Sequence, residues 1–422
     1  MLLLTERRYE EASARAKFWA AKLARSDWEV DELVDRLERI AKDPAGALAN
    51  TFLEREGVEI EPMRAWLDGC RERPLPAYGL EEPAPIDLSD LDASQAQLRA
   101  HLAQSGIPAD QVEQALDQLL ASLDEMRAEA DVGASKQDDG GSPRVLRGSR
   151  TVEAIEASWH EVFPASKPFS VNLDAQADAR VWEPAAAQTW QAFLRRHPET
   201  YDSLDILDDL ATALGEVEAG MMPGVEDPVM TAIVDRGAAI LLAVIDGRDV
   251  RLPWGVPQNR PGLRLLARRI YRLLDRGEEQ AAAALIPTIL RLNPGDNHGF
   301  RYLLVNHLLR LGDAHEALAL IGEYPDDWSV ELRYGEVLAH YRLGKFEEAA
   351  RALAAALEVN AHVPKYLAQE RPRQPNLSPY GVTAGGRDEA WHYWSEAGDL
   401  WRSDPQLLQW LQSAARQCKR DK

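Results

Sequence analysis

Apolar residues recur at three- and four-residue steps along almost the whole chain. Ala12, Ala16 and Trp19 set this spacing near the amino terminus, and similar stripes return between proline and glycine turns over 151–245. Because an α-helix turns once in about 3.6 residues, such stripes are typical of helices with one buried face. We therefore predict an all-α fold, with a short extended segment at 250–255 as the exception.

Residues 263–359 repeat their own pattern. Gly277, Gly312 and Gly344 lie about 34 residues apart, and each follows an apolar stripe of helical period. Glycine relieves the steric cost of the left-handed conformation in which helices commonly end. Acidic residues then open the next stripe, where the helix dipole favours negative charge. The repeat predicts three pairs of helices stacked as an α-solenoid.

Two further sequence features support a helical repeat. Phe-Arg-Tyr at 300–302 recurs as Leu-Arg-Tyr at 332–334, and Asn293-Pro294 ends the first helix pair. With a period near 34 residues, this stretch resembles the tetratricopeptide-repeat (TPR) family. The resemblance implies a TPR-like α-solenoid whose leading helices line a groove for a segment of a partner protein.

The carboxy-terminal part begins with Asn-Ala-His-Val-Pro-Lys-Tyr-Leu at 360–367, followed by spaced prolines and a helix that opens after Gly386. This order resembles the carboxy-terminal part of the suppressor-of-tumorigenicity-seven family. That family is described as membrane-associated and without catalysis, and only its helical-repeat character is carried over. Four tryptophans beyond Gly386 supply apolar surface that we expect to cap the last helix pair.

Composition shifts divide the chain into five segments. Prolines among acids at 73–92 and a Gly-Ser-Pro stretch near 140 indicate linkers. The predicted segments are an amino-terminal helical module at 1–72, an acidic helical hairpin with flanking linkers at 73–150, a helical region leading into the solenoid at 151–262, TPR-like repeats at 263–359, and capping helices at 360–422.

The net charge of −21 disfavours binding to nucleic acid or to an anionic membrane. Cys70 and Cys418 stand far apart in sequence and form no metal-binding or disulfide pattern, which is typical of a reducing compartment. The first apolar run is too short for a secretory signal, and the run at 238–245 is shorter than the roughly 20 residues that span a bilayer. We expect a cytoplasmic protein without membrane partners.

The sequence carries no recognised catalytic motif. It lacks the glycine-rich nucleotide loops, the GxSxG elbow and the HExxH zinc motif. Four aspartates at 202, 205, 208 and 209 share a predicted helix, which we interpret as a solvent-exposed face rather than a metal site. We expect no enzyme activity, cofactor or metal. An enzyme or enzyme regulatory subunit with a site in 151–260 stays as an alternative.

The leading helices of the predicted repeats carry several tyrosines. A tyrosine offers a rigid apolar ring with a hydroxyl, which suits contact with a peptide at low entropic cost. The predicted groove residues are Tyr271, Tyr302, Asn306, Tyr334, Leu338 and Tyr341. We therefore predict a non-enzymatic adaptor or scaffold that binds a protein or peptide partner, the alternative being that some of these rings pack between helices.

A basic ladder precedes the first turn of the repeat. Its members are Arg264, Arg268, Arg272 and Arg276. Like charges at four-residue steps destabilise a helix by about 0.2–0.5 kcal/mol per pair, so acidic groups should lie opposite. They could come from adjacent helices or from the acidic arm at 81–131, which holds twelve acids against two arginines. A nucleic-acid-associated or regulatory factor using this ladder is the second functional alternative.

Overall fold

A computed structural model describes residues 38, 41–42, 61–83, 141–163, 181, 183–219, 228–377 and 382–420. Most of the predicted amino-terminal module at 1–72, and residues 84–140 of the predicted acidic segment at 73–150, lie outside these residues. Over the described residues the chain is mostly helical, with fourteen α-helices and little strand, which confirms the all-α prediction.

The chain forms two compact units. The first comprises 1–282 with 291–295, and the second comprises 283–290 with 296–422. The division passes through one helix, α7 (Glu279–Leu292), whose two ends belong to the first unit and whose middle belongs to the second.

The first unit contains six helices and four short strands among its described residues. In chain order they are α1 (Glu61–Cys70), β1 (Tyr78–Glu81), β2 (Ser142–Pro143), β3 (Val145–Gly148), α2 (Arg150–Val162), α3 (Pro184–Arg196), α4 (Leu204–Ala219), α5 (Pro228–Ile245), β4 (Val250–Arg251) and α6 (Arg260–Asp275). Short 3-10 helices at Pro198–Asp202 and Pro257–Asn259 join neighbouring elements. Helices α4, α5 and α6 pack against one another and form the core of this unit.

The strands lie where the sequence indicated linkers. β1 pairs with β3 in antiparallel register, and β2 pairs with β4 in parallel. The buried side chain of Asn259 supports β3, because its Oδ1 accepts from the Leu146 amide at 2.9 Å and its Nδ2 donates to the Arg144 carbonyl at 3.0 Å. β4 falls in the predicted extended segment at 250–255.

Helix α5 is long and apolar enough to cross a membrane by length and composition. It packs between α4 and α6 and is buried along much of its length. Arg236, near its middle, donates to Asp202 Oδ1 at 2.8 Å and to the Pro74 carbonyl at 2.7 Å. These contacts make α5 the core helix of the first unit.

The described residues of the second unit form seven further helices. They are α8 (Phe300–Leu311), α9 (Ala314–Glu323), α10 (Val330–Arg342), α11 (Phe346–Val359), α12 (Val363–Leu367), α13 (Arg387–Arg402) and α14 (Pro405–Arg420). Helices α8 to α11 pack in sequence, each on the next or on the next but one. Helices α13 and α14 pack on each other, α13 also on α10, and α14 also on α11.

The glycine turns of the repeat end their helices as predicted. Gly277, Gly312 and Gly344 have φ values of 74°, 82° and 71°, a region that strains residues with a Cβ. Asp313 then begins the next helix, since its side chain accepts from the Glu316 amide. Local chemistry therefore fixed these boundaries.

Aromatic side chains join α13 to α10. The rings of Tyr334 and Tyr393 lie 5.6 Å apart, and Trp401 Nε1 donates to the Tyr393 hydroxyl at 3.0 Å. All three rings are buried. The carboxy-terminal helices thus cover α10, as expected of a cap.

Candidate partner-binding site

Three of the six predicted groove residues lie in the core. Tyr334 and Leu338 are fully buried, and Asn306 is 4% exposed. The Tyr334 hydroxyl is already used, because it donates to the Asn360 carbonyl at 2.6 Å. The prediction that these three face a partner is wrong. Tyr334 and Leu338 lie on α10, which packs against α8, α9, α11 and α13, and Asn306 lies on α8, which packs against α9 and α10.

The other three reach the surface to different degrees. Tyr271, on α6 of the first unit, is 42% exposed. Tyr302 and Tyr341, on α8 and α10 of the second unit, are half-buried. Tyr302 belongs to a cluster around Arg301 that the sequence analysis did not recognise.

Among the described residues of the second unit, the most exposed aromatic side chain was not predicted. Trp328 is 63% exposed and lies in the loop between α9 and α10. A tryptophan ring offers a large apolar area, and this one adjoins further aromatic side chains around Arg301, so the loop is a candidate contact surface. The sequence contained a signal for this exposure: Trp328 follows Pro325 and two aspartates, and such a stretch forms a loop at the surface.

Arg333 holds the Trp328 ring from one side. Its guanidinium carbon lies 5.0 Å from the ring centroid, a cation–π distance. The same guanidinium donates to the Pro325 carbonyl at 2.8 Å and lies 3.7 Å from Glu336. One face of the indole is therefore supported by a fixed cation while much of the ring remains in solvent.

A second cation–π cluster adjoins this loop. Arg301 lies 4.3 Å from the Tyr302 ring centroid and 5.1 Å from that of Tyr324. It also forms ion pairs with Asp296 at 3.0 Å and Asp327 at 2.6 Å. Burial raises the pKa of both tyrosines to about 12, so their hydroxyls stay protonated at neutral pH. We call Arg301, Tyr302, Tyr324, Trp328 and Arg333 the Trp328 patch.

The surroundings of the Trp328 patch are acidic. Glu323 and Asp326 are exposed beside it. Glu331 lies at the start of α10, where burial, and then the charges of Glu396 and Glu389, raise its pKa to about 7. The patch thus combines an exposed indole with a negatively charged border.

Another aromatic cluster lies where α10 ends. The Tyr341 ring is 5.3 Å from Phe346 and 5.0 Å from Trp410, and Phe346 is 54% exposed. No cation stacks on these rings among the described contacts of the second unit. This cluster is a useful reference surface of similar exposure and different chemistry.

Side chains of neighbouring helices in the first unit bind three of the four arginines of the basic ladder. Arg264 donates to Asp208 Oδ2 at 2.7 Å, and Arg268 donates to Thr212 at 3.0 Å, both on α4. On α5, Thr231 Oγ1 accepts from Arg272 at 2.6 Å. Arg276 pairs with Glu278 at 2.9 Å. The expectation that adjacent helices supply the opposite charge is confirmed for Arg264.

Two of the four aspartates, Asp208 on α4 and Asp202 in the 3-10 helix before it, are not solvated. Asp208 is 2% exposed, and Asp202 is buried between Arg73 and Arg236. The interpretation of the aspartates as an exposed face is therefore wrong for these two. The two charge patterns, noticed separately in the sequence, meet between α4 and α6.

Carboxylates in 151–260 also form part-buried polar pairs. Ser203 donates to Glu156 at 2.6 Å, Trp159 Nε1 donates to Asp209 at 2.9 Å, and His160 Nε2 lies 3.1 Å from Asp205. Burial raises the pKa of Glu156 and Asp209 to about 7, and the hydrogen bond to Asp205 raises that of His160. Among the described residues, no group of three or more His, Cys, Asp or Glu side chains is arranged to hold a metal ion.

One protein family matches part of the chain. The model of the Tcf25 family, described as transcriptional repressor TCF25, matches residues 246–422, which is less than half of the sequence. No TPR family model matches, so the resemblance to that family has no support beyond the helix pairs. Searches of curated proteins and of solved structures find no match. The matched range includes every residue of the Trp328 patch.

Proposed function

We propose that this protein is a non-enzymatic regulatory factor that represses transcription by binding a partner protein at the Trp328 patch. The exposed Trp328 ring, supported by Arg333, carries the proposal. The similarity of 246–422 to a transcriptional repressor family supports a regulatory role for the same stretch.

The chemistry of the patch favours protein recognition. Trp, Tyr and Arg dominate the residues whose loss weakens protein interfaces by about 2 kcal/mol or more. Such anchors work best when their conformation is fixed before binding, since less entropy is then lost. Arg333 provides this for Trp328, and the ion pairs of Arg301 do so for Tyr302.

The alternatives have weaker support. The arginines of the ladder already bind side chains of α4 and α5 or the nearby Glu278, so a nucleic acid would have to displace those contacts. In 151–260, Glu156, Asp209 and His160 each have a hydrogen-bonded or ionic partner, as in a structural network. The proposal therefore contains no catalytic step.

The proposal changes the expected location. A transcriptional repressor acts where the DNA is, which a purely cytoplasmic protein would not do. We accordingly propose that the protein reaches the nucleus, at least when it represses. Imaging of the fluorescently tagged full chain in its native cell tests this directly, and exclusion from the nucleus under all growth conditions would contradict it.

A tethering experiment tests the function itself. The full chain is fused to a sequence-specific DNA-binding domain and recruited to a reporter promoter. We expect reporter transcription to fall, and Trp328→Ala to restore it. Phe346→Ala, which removes an exposed ring outside the patch, is the matched control and should still repress. Unchanged transcription with the wild-type fusion would contradict the proposal.

A further inference from the structure

Acidic residues outnumber basic ones around the Trp328 patch. Residues 322–336 contain five acids and one arginine. That arginine, Arg333, pairs with Glu336, and the nearby Arg301 is matched by Asp296 and Asp327. The local cations are therefore neutralised, and the border keeps a negative charge.

Two of the border carboxylates face solvent. Glu323 and Asp326 are exposed, and within the part of the chain that the structure describes neither forms a salt bridge. They lie on either side of Tyr324 and Pro325, directly before Trp328. Exposed carboxylates with no cation beside them attract a positively charged partner, and more strongly at low ionic strength.

The contact of Trp328 with Arg333 indicates that the indole can bind a cationic side chain. A guanidinium already stacks at 5.0 Å over the indole, and an aromatic ring has two faces. Because Trp328 remains 63% exposed, its surface can take a second cation. Arg and Lys side chains also bury their apolar stems on such rings while the charged head stays in water.

We infer that the Trp328 patch binds a basic protein segment, with one Arg or Lys side chain stacked on the indole and further cations at Asp326 and Glu323. This inference rests on the proposed function for the role of the patch and adds the chemistry of the partner. The overall charge of −21 attracts the same class of segment to the molecule, while the indole selects the place.

A peptide-binding measurement tests the inference. The probe is a fluorescein-labelled twelve-residue peptide of alternating Arg and Ser, and its anisotropy is followed during titration with the full chain. Peptides with Gln or Glu in place of Arg are the chemical controls. We expect the Arg peptide to bind, the Gln peptide to bind at least about tenfold more weakly, and the Glu peptide not to bind.

Variants locate the site. Trp328→Ala should weaken binding of the Arg peptide by about tenfold, whereas Phe346→Ala should not. Trp328→Leu keeps apolar area but removes the aromatic face, so it should resemble Trp328→Ala if stacking matters. Thermal unfolding of each variant checks the fold. Equal binding by Trp328→Ala and the wild type would overturn the inference.

Two pairs of charge-removing substitutions distinguish binding at the patch from attraction by the net charge of the whole molecule. Glu323→Gln with Asp326→Asn should weaken binding and flatten its dependence on salt. The matched pair Glu347→Gln and Glu370→Gln removes two exposed carboxylates elsewhere in the second unit and should have a smaller effect. Equal effects of both pairs would show that the peptide follows net charge alone and would reject a specific site.

The two proposals can fail separately. If the tethered chain represses in a Trp328-dependent way but the Arg peptide binds no better than the Gln peptide, the inferred partner chemistry is wrong and the regulatory role stands. If the peptide binds at Trp328 but tethering leaves the reporter unchanged, the site is correct and repression is not its function.

Discussion

Two tyrosines of α10, Tyr334 and Tyr341, have different surroundings. Tyr334 OH donates to the Asn360 carbonyl at 2.6 Å inside the protein, and burial raises its pKa well above its ordinary value. Tyr341, seven residues later on the same helix, keeps part of its ring at the surface. Two tyrosines on one helix therefore differ in burial: Tyr334 belongs to the core, and Tyr341 reaches the surface.

Removal of that hydroxyl should destabilise the protein without touching the surface. Tyr334→Phe leaves the Asn360 carbonyl without this buried donor, so we expect the free energy of unfolding to fall by about 1–3 kcal/mol. Tyr341→Phe is the control and should change it by less than about 0.5 kcal/mol. Urea unfolding followed by circular dichroism measures both. Equal stabilities of the two variants would contradict the assignment of Tyr334 to the core.

In contrast to Tyr334→Phe, a substitution of Trp328 should leave the stability nearly unchanged. Because its ring is mostly solvated, Trp328→Ala should change the free energy of unfolding by less than about 0.5 kcal/mol, although it weakens binding of the basic peptide. Chemical denaturation of the wild type and the variant provides the comparison. A large loss of stability would mean that the ring holds the loop between α9 and α10 in place and is not reserved for a partner.

At the scale of elements, the ion pair between α4 and α6 is the part of the basic ladder with a clear energetic role. Asp208 is buried, and Arg264 is its cationic partner. Arg264→Ala leaves a buried carboxylate without compensation, and we expect a loss of about 3 kcal/mol. Arg269 pairs with the more exposed Asp235, so Arg269→Ala should cost about 0.5 kcal/mol.

A double-mutant cycle checks that the cost comes from the pair. Asp208→Asn should destabilise the wild type but have little further effect in the Arg264→Ala background, because the charge that suffers from burial is then removed. Thermal unfolding of the four proteins gives the coupling energy. Strictly additive losses would show that the two side chains act independently and would leave the ladder unexplained.

Sequence patterns located the helix ends of the repeat because those ends depend on nearby residues. Gly312 and Asp313 determine a turn through their own backbone and side-chain chemistry. The strands escaped prediction because β1 and β3 pair across about 60 residues and are only four residues long, too short for a local alternation to be read. Tertiary contacts were the missing information.

Tertiary contacts also decide which residues of the candidate site are exposed, so the sequence predicted the site only in part. Period and residue type placed tyrosines on α8 and α10, but their exposure depends on which helices cover them. Tyr334 is covered by Tyr393 and Trp401 of α13, whose approach no local pattern reveals. Trp328 lies in a turn outside the helices, so helical periodicity carries no information about its exposure.

Across the whole molecule, the stability depends on pH through groups whose pKa the fold raises: three of them lie in the first unit, and Glu331 of the second unit is shifted in the same direction. Burial raises the pKa of Glu156 and Asp209 to about 7, whereas the unfolded values are 4.5 and 3.8. Between those values and pH 7 the folded protein holds protons that the unfolded chain has released. The hydrogen bond to Asp205 raises the pKa of His160, which adds an effect of the same sign.

These groups contribute stability that is present at low pH and is lost as pH rises through about 7. From pH 5 to pH 8 we expect the shifts of Glu156 and Asp209 together to lower the free energy of unfolding of the first unit by up to about 5 kcal/mol. Glu156→Gln with Asp209→Asn preserves the acceptors for Ser203 and Trp159 and should flatten this slope. Asp326→Asn, an exposed control, should leave it unchanged. Because the chain carries a net charge of −21, general repulsion also grows with pH, and a slope that persists in the double variant would assign the effect to that repulsion.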